Sequence, residues 1–554
     1  MKVKPTTTVP IFTKGGQFLN KLLYILCLIL MILVSIWIGF LQFRLPEVVS
    51  QHAEKEVFSA ERAIKFLEEF AVKPHPVGDP EHDRVRDYLV SELTNLGVAP
   101  EIQVAEENLS AWGVPYEGKI ENIIARIPGK NSSGGIMITS HYDTDENSPG
   151  AADAGSGVAA ILETVRALKE SPPLKNDVII LISDGEEIGL LGAQAFVQEH
   201  PWSKDVNIVL NFEARGSQGP SLLFETNDQN ERIIAEFAKG ASNPVTHSFI
   251  LDLYQWMPND TDLSIYNPFG MYGLNFGFFV GLFGYHTPED TVENLDMASL
   301  QHHGDNMLDL VRHFGNMDLI AQEDGKSLYF NAIGKKVLTY SEKLVLPIMF
   351  FAIILFFITL FHGFIRKKLD LARTMLGFLV FLLTIALAYI IGVFLLVIIS
   401  FVARMDLWTI SAYPVTSNPI FISILLFVFA VIVTIYLFTL KRLNATDLTM
   451  GGLFGWLILV CFSSIFFKSS SYIFVWPFIM GLVSFNLYIF LRNEFSVKGK
   501  LLSLGMMVLP IILTAPIIYL VFALLTLQHV GILTAITSLL IIFIIPALNG
   551  LRGT

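Results

Sequence analysis

Residues 135–143 read Gly-Ile-Met-Ile-Thr-Ser-His-Tyr-Asp, an apolar, β-branched run that ends in a histidine and an aspartate. Runs of this composition are typical of strands that are buried on both faces of a sheet. Similar runs recur at residues 120–127, 178–183, 206–212, 221–225 and 274–279. Segments with helical apolar spacing separate them, at residues 157–169, 190–199, 230–239 and 300–319. This alternation predicts an α/β fold, a three-layer α/β/α sandwich around a largely parallel sheet.

Acids and histidines stand where the predicted strands end. They are His141, Asp143, Asp184, Glu186, Glu187, Glu213 and His286, and Asp153 occupies a Gly-rich turn before a predicted helix. Ligands of open α/β sheets collect outside the carboxyl ends of the strands, so we expect these side chains to meet. Zinc binds imidazole nitrogen and carboxylate oxygen, and two zinc ions bridged by a carboxylate can activate water for hydrolysis. Singly, each residue has an ordinary explanation, such as a turn or a solvated surface, but their number and order favour a metal site.

The composition divides the chain into an acidic part and an apolar, basic part. Of its 554 residues 53% are hydrophobic and only 16% charged, which is too apolar for one soluble globule. Residues 51–340 hold 44 acidic and 20 basic residues, and the rest of the chain holds 6 acidic and 18 basic residues. The acidic part therefore disfavours nucleic acid as a partner.

Eight segments are apolar enough to cross a lipid bilayer. They lie at about 22–41, 344–364, 375–401, 420–440, 451–467, 472–491, 501–525 and 531–548. Eight spans place 14 flanking basic residues on the side of the N-terminus and 4 on the other side, so the positive-inside rule predicts a cytoplasmic N-terminus. We expect a basic tail and signal-anchor helix in residues 1–44, an extracytoplasmic domain in residues 45–340, and a membrane domain of about seven helices in residues 341–554. The acidic domain would face the periplasm or exterior in a bacterium, or a lumen in a eukaryote.

Five motifs resemble those of the co-catalytic zinc aminopeptidases, a family that includes bacterial leucyl aminopeptidase and glutamate carboxypeptidase. They are His-Tyr-Asp-Thr from 141, Asp-Ala-Gly-Ser-Gly from 153, Asp-Gly-Glu-Glu-Ile-Gly-Leu-Leu-Gly-Ala from 184, Asn-Phe-Glu-Ala-Arg-Gly from 211 and Tyr-His-Thr-Pro-Glu-Asp-Thr from 285. One anchor, an outward domain and a polytopic tail resemble the endoplasmic-reticulum metallopeptidase and vacuolar membrane protease branch, as does the segment 259–266.

The resemblance implies a role for each residue. His141 and Glu213 would bind one zinc ion, and Glu187 and His286 the other. Asp153 would bridge both ions, which suits a carboxylate because it has two oxygens. Glu186 would be the general base, and Asp143 would orient His141 from behind, as carboxylates commonly do for zinc-bound histidines.

The resulting expectation is a membrane-anchored aminopeptidase that uses two zinc ions and acts on peptides outside the cytoplasm. A carboxypeptidase stays open, because the metal core does not select a peptide end. Glutaminyl cyclisation is a further alternative, although relatives with that activity use one zinc and lack the first histidine. An inactive peptidase-fold receptor or scaffold is a non-enzymatic alternative. The predicted spans contain almost no ionisable residues, which disfavours a transporter. The sequence predicts neither the side-chain specificity nor the oligomeric state.

Three other features have ordinary predicted roles. Asp260 and Asp262 are expected to cap a helix. Arg215 could bind a substrate carboxylate, but a structural ion pair is favoured. His302 and His303 are expected on the surface of the last helix of the acidic domain.

Overall fold

A computed structural model describes residues 14–254, 256–257, 260–319, 325–490 and 495–552. Three predicted features lie outside the described residues. They are the basic tail before residue 14, Asn259 of the segment 259–266, and Arg492, a basic residue that flanks a predicted span. The chain folds into a sheet domain, residues 45–341, and a helical domain, which comprises residues 14–43 and 342–552.

The strands of the described residues are β1 Glu101–Ala105, β2 Ser110–Ala111, β3 Val114–Pro115, β4 Ile120–Ile127, β5 Gly135–His141, β6 Asp177–Ser183, β7 Val206–Ala214, β8 Leu222–Thr226, β9 Tyr272–Phe278, β10 Ser327–Ile333 and β11 Lys336–Ser341. Seven of them form the main sheet of the sheet domain, in the order β1-β4-β6-β5-β7-β9-β8. Strands β6, β5, β7 and β9 run parallel, whereas β1, β4 and β8 pair antiparallel. The α/β class is confirmed, but the expectation of a largely parallel sheet is wrong. A connection without a crossover helix commonly reverses the direction of the chain, and no helix of the described residues separates β1 from β4, β4 from β5, or β7 from β8.

Helices cover both faces of this sheet. They are α2 Ala60–Phe70, α3 Pro80–Asn95, α4 Gly155–Lys169, α5 Leu191–Glu199, α6 Glu231–Gly240, α7 Phe249–Tyr254, α8 Asp262–Tyr266 and α9 Met297–Gly315. Successive strand residues point to opposite faces, so Ile138 packs in the core with α2, α4 and α9, and Met137 packs in the core with α5 and α8. The predicted three-layer sandwich is therefore confirmed.

Within its described residues, the helical domain contains seven helices, or helix pairs, that are long and apolar enough to cross a membrane, and a bent pair that could form an eighth span. Its helices are α1 Lys14–Phe40, α10 Val345–Ile365, α11 Leu371–Ala403, α12 Leu407–Ala412, α13 Pro414–Thr439, α14 Ala445–Phe466, α15 Tyr472–Phe490, α16 Val497–Gly505, α17 Val508–Leu525, α18 Val530–Leu539 and α19 Ile541–Gly550. The last predicted span, residues 531–548, is broken between α18 and α19 by a bend of 48°.

The two domains meet at a set of buried polar and aromatic contacts that the sequence did not reveal. His247 of the sheet domain donates to Gln42 Oε1 (2.6 Å) and accepts from the Tyr472 hydroxyl (3.0 Å). The ring of Tyr472 also stacks on Phe330 in the β10–β11 hairpin, with centroids 4.4 Å apart. Gln42 follows α1 and Tyr472 begins α15, so the sheet domain contacts the helical domain at two places that are far apart in the sequence.

His302 and His303 are buried, so the expectation of a surface position is wrong. Their side chains lie on the face of α9 that packs against the sheet, where Ser221 N–H donates to His302 Nδ1 (3.1 Å) and Ser221 Oγ is 2.8 Å from His303 Nδ1. Two consecutive histidines in a predicted helix suggest a solvent-exposed position. Ser221, directly before β8, instead supplies a hydrogen-bond partner in the core for each of them. Burial lowers the pKa of His303 to about 3.

This pKa predicts an acid sensitivity of the fold. Between pH 6.5 and 3 the unfolded chain binds a proton at His303 that the folded chain does not, so stability falls as the pH falls through this window. At pH 5 the penalty is about 2 kcal/mol. His303→Asn, which can keep the bond to Ser221, should flatten the decline in unfolding temperature of the full chain between pH 7 and pH 5. The exposed control His52→Asn should decline like the unmodified chain, and equal declines in all three proteins would contradict the assignment.

Candidate active site

The fold brings the predicted residues of the site to one edge of the sheet. His141 is the last residue of β5 and Glu213 lies near the end of β7. Residues 186–187 follow β6, and His286 lies in the loop after β9. Asp153 lies between β5 and α4, directly before the helix begins. These elements are neighbours in the parallel part of the sheet, so their carboxyl ends meet.

Asp153 lies between the two histidines. Its Oδ1 is 3.6 Å from His141 Nε2, and its Oδ2 is 3.4 Å from His286 Nε2. Each histidine also faces one glutamate, since His141 Nε2 is 3.5 Å from Glu213 Oε2 and His286 Nε2 is 3.1 Å from Glu187 Oε2. Two groups of three donor atoms therefore share one carboxylate.

The spacing of these donor atoms fits zinc. Zinc–ligand distances of about 2.0–2.2 Å in a tetrahedral arrangement place neighbouring donors about 3.3–3.6 Å apart. Three of the four imidazole–carboxylate distances, 3.4, 3.5 and 3.6 Å, are longer than ordinary hydrogen bonds and fall in this range. Each group supplies three protein ligands, which leaves a position open for water or substrate.

Asp143 supports the site in two ways. Its carboxylate accepts the backbone N–H groups of Glu186 (3.1 Å) and Glu187 (3.2 Å), and so fixes the turn that carries both glutamates. His141 Nδ1 lies 2.9 Å from the main-chain oxygen of Asp143 but 3.5 Å from its carboxylate. The predicted support of His141 thus comes mainly from the backbone of Asp143, which leaves His141 Nε2 for the metal.

Two positioning residues were not assigned from the sequence. Asp290 accepts the backbone N–H groups of Ala152 (2.8 Å) and Asp153 (3.1 Å), which holds the turn that carries the shared carboxylate. Asn211 Nδ2 donates to Glu213 Oε1 (3.0 Å), so the other oxygen of Glu213 faces His141. Both residues stand inside the resembling motifs, and that was their only signal in the sequence.

Glu186 is half-buried and lies beside both groups of donors. Burial raises the pKa of the Glu186 carboxyl well above its ordinary value, and the negative charges of Glu213 and Glu187 raise it further, whereas His141 opposes them. Its partner in the turn, Glu187, faces His286 instead. One glutamate of the pair is thus directed at a metal position while the other stays available for proton transfer.

Neither aspartate of the segment 260–262 is the N-cap of α8, so that expectation is wrong. Thr261 occupies the cap position and Asp262 is the first helical residue. Asp262 is buried and accepts from Ser183 Oγ (2.5 Å); burial raises the pKa of its carboxyl to about 7. Asp260 instead lines the pocket next to Thr261. Asp184, the other acid after β6, accepts from His82 Nε2 (2.7 Å), outside both groups of donors.

A pocket of about 190 Å³ opens over these donors. The sequence did not reveal the aromatic side chains of its walls, because they come from separate loops, strands and a helix: Trp112, Phe224, Tyr254, Phe279 and Tyr285. Arg215 also lines the pocket, and no carboxylate of the described residues pairs with it, so the expected structural ion pair is wrong. The arrangement combines a metal-binding floor with walls that carry several aromatic side chains.

Comparison with known proteins agrees with this geometry. The model of peptidase family M28 matches residues 122–311, which contain every predicted ligand. This part of the sheet domain is similar to peptidase family M28. Over 425 aligned residues the chain is 26% identical to endoplasmic reticulum metallopeptidase 1 of Mus musculus, covering 72% of this chain and 47% of that protein. It is 31% identical over 268 residues to the vacuolar membrane protease of Candida dubliniensis, covering 46% of this chain and 28% of that protein.

The chain spans about half the length of the mouse relative, and less of the yeast one. Among solved structures, a Zn-dependent exopeptidase from Parabacteroides distasonis is 20% identical and matches 47% of this chain and 99% of its own, with a TM-score of 0.38. A glutaminyl cyclase from Porphyromonas gingivalis is 21% identical and matches 45% of this chain and 96% of its own, also with a TM-score of 0.38.

Asp290 provides a test of how the sheet domain positions Asp153. In Asp290→Asn an NH₂ group replaces one carboxylate oxygen. Because an NH₂ group does not accept a hydrogen bond, the side chain can no longer bind both backbone N–H groups. We expect zinc affinity to fall about 10–100-fold, as is usual when residues that orient metal ligands are replaced. Zinc retention in a series of chelator concentrations measures the change. Asp228→Asn, an exposed aspartate that pairs with Lys326, is the control, and equal retention in both variants would show that Asp290 does not support the site.

Proposed function

We propose that this chain is a membrane-anchored aminopeptidase with two zinc ions per chain, which removes the N-terminal residue from peptides. The single observation that carries the proposal is the position of Asp153, whose two carboxylate oxygens face two different histidines at 3.6 and 3.4 Å. His141 and Glu213 would hold one ion, and Glu187 and His286 the other. An M28 zinc metallopeptidase domain is a suitable frame for this chemistry.

Bound zinc supplies Lewis acidity, which polarises a peptide carbonyl and lowers the pKa of water towards about 7. Glu186 is the general base in the proposed reaction. Its carboxylate takes a proton from the attacking water and delivers it to the nitrogen of the leaving amine. Such proton transfer contributes about 10²–10⁴-fold to the rate. The turn held by Asp143 keeps Glu186 beside the donors while its backbone stays fixed.

The shape of the pocket supports removal of a single residue. A volume of about 190 Å³ suits one side chain better than an extended peptide, and the Asp260 carboxylate at its wall offers a partner for a substrate amine. Two complete groups of three donors favour hydrolysis with two metals over glutaminyl cyclisation with one.

We also propose that the N-terminus is cytoplasmic and that the sheet domain faces away from the cytoplasm. The charge distribution around the spans supports this orientation. The named relatives are proteins of the endoplasmic reticulum and the vacuolar membrane, whose interiors are extracytoplasmic compartments. In intact cells, a membrane-impermeant maleimide should label Ser132→Cys if the protein is at the cell surface, and should label Lys441→Cys only after permeabilisation. The opposite pattern would reverse the orientation.

Replacement of the proposed base tests the function directly. Glu186→Gln should keep two zinc ions per chain by elemental analysis and lose about 10²–10⁴-fold in kcat on peptides with a free N-terminus. Glu199→Gln, at an exposed position on α5, is the matched control and should retain both zinc and activity.

The other outcomes identify the alternatives. Full activity in Glu186→Gln would refute the base assignment, and loss of zinc would make Glu186 a ligand. If the unmodified chain releases residues from N-acetylated peptides, it is a carboxypeptidase. If it cyclises N-terminal glutamine with one zinc bound, it is a cyclase. If zinc binds and no peptide is changed, the domain is a scaffold.

A further inference from the structure

Arg215 has an unusual environment for a cation. It lies two residues after Glu213, just beyond the end of β7, and its side chain lines the same pocket as the metal-binding donors. Its Nε is buried without a hydrogen-bond partner. Its Nη1 donates to the main-chain oxygen of Leu524 at 3.5 Å, the outer limit of a hydrogen bond, and its Cζ lies 5.9 Å from the ring centre of Tyr285.

Other arginines of the sheet domain are paired with acids at hydrogen-bond distance. They are Arg62, Arg84, Arg86, Arg126 and Arg166. Arg312 is half-buried too and has no carboxylate at that distance among the described residues, but it donates to the main-chain oxygen of Glu56 and to Ser171 Oγ (2.8 Å). Arg215 differs because it is half-buried, no carboxylate of the described residues contacts it, and its Nε has no hydrogen-bond partner. Burial of an unpaired charge is unfavourable, so a role in folding alone does not explain this side chain.

The surroundings of Arg215 suit recognition of an anion. A guanidinium offers five N–H donors in a planar fork, which matches the two oxygens of a carboxylate. The neighbouring wall is formed by Phe279, Tyr285 and Gly277, so a bound carboxylate would be partly shielded from water, where a charge-assisted hydrogen bond is stronger. The two proposed zinc ions would be balanced by Asp153, Glu187, Glu213 and Glu186, so the charge of Arg215 is not needed to neutralise the centre.

The alternative explanation is that Arg215 only stabilises the contact between the sheet domain and the helical domain. Leu524 lies in the last turn of α17, and a cation is favourable near the carbonyl end of a helix. That contact occupies Nη1 at a long distance and leaves the buried Nε unpartnered. Docking therefore accounts for only part of the donor capacity of this side chain.

We propose that Arg215 is a specificity-determining residue that binds a carboxylate of the peptide substrate. This inference rests on the proposed function, because it names the substrate class of the same pocket. The carboxylate has two possible sources, the free C-terminus of a dipeptide or the side chain of an acidic N-terminal residue. In both cases the carboxylate belongs to a residue that is joined by the scissile bond.

Binding is measured without turnover by calorimetry on the full chain in detergent, in the Glu186→Gln background. The three ligands are Ala-Ala amide, Ala-Ala with a free carboxylate, and Glu-Ala amide. We expect at least one carboxylate ligand to bind about 10–100-fold more tightly than Ala-Ala amide, and the ligand that does so identifies the source. Adding Arg215→Met should abolish this advantage, Arg215→Lys should keep part of it, and the exposed control Arg84→Met should keep all of it.

Three outcomes would overturn the proposal: equal affinities for the three ligands, no binding of either carboxylate ligand, or an Arg215→Met change that weakens all ligands alike. The last outcome, with a lowered unfolding temperature, would assign Arg215 to domain docking. Hydrolysis by the unmodified chain is followed in parallel. If the unmodified chain hydrolyses none of the peptides but carboxylate ligands bind more tightly through Arg215, the proposed function is refuted and the carboxylate site stands. If the chain hydrolyses peptides and that binding preference is absent, the proposed function stands and the carboxylate site is refuted.

Discussion

The site depends on one carboxylate placed between two imidazoles that come from different strands. Asp153 can face both His141 and His286 only because β5 and β9 end at the same edge of the sheet and the turn before α4 projects over that edge. Asp290 holds this turn through two backbone N–H groups. The donor spacing of 3.4–3.6 Å around Asp153 is longer than hydrogen bonding requires and fits the coordination sphere of zinc.

Much of this arrangement could be predicted, because strand ends carry both a structural and a chemical signal. The apolar run of β5 predicts a buried strand, and the His141 that ends it is placed at the edge where ligands bind. Partners that depend on tertiary packing could not be predicted in this way. His303 looks like a surface residue until Ser221 is found beside it, and Arg215 looks like an ordinary ion-pair residue until its surroundings are known. The antiparallel strands were missed because periodicity within a strand carries no information on its direction.

The helical domain is in direct contact with the peptidase site. His247 and Tyr472 fix one side of the sheet domain to the helical domain, and Arg215 reaches the carbonyl end of α17 from the pocket itself. Phe279, which lines the active-site pocket, also borders a small cavity shared with Tyr519 and Phe522 of α17. The helices therefore form part of the structure that surrounds the substrate pocket, in addition to offering lengths suited to a bilayer.

The central claim is that Asp153 is shared between two metal ions. Anomalous scattering from zinc in crystals of the full chain, or of its sheet domain, measures this directly. The account predicts two peaks about 3.5–4 Å apart, each within ligand distance of one oxygen of Asp153, one beside His141 and the other beside His286. A single peak at full zinc occupancy, or two peaks of which one does not contact Asp153, would contradict it.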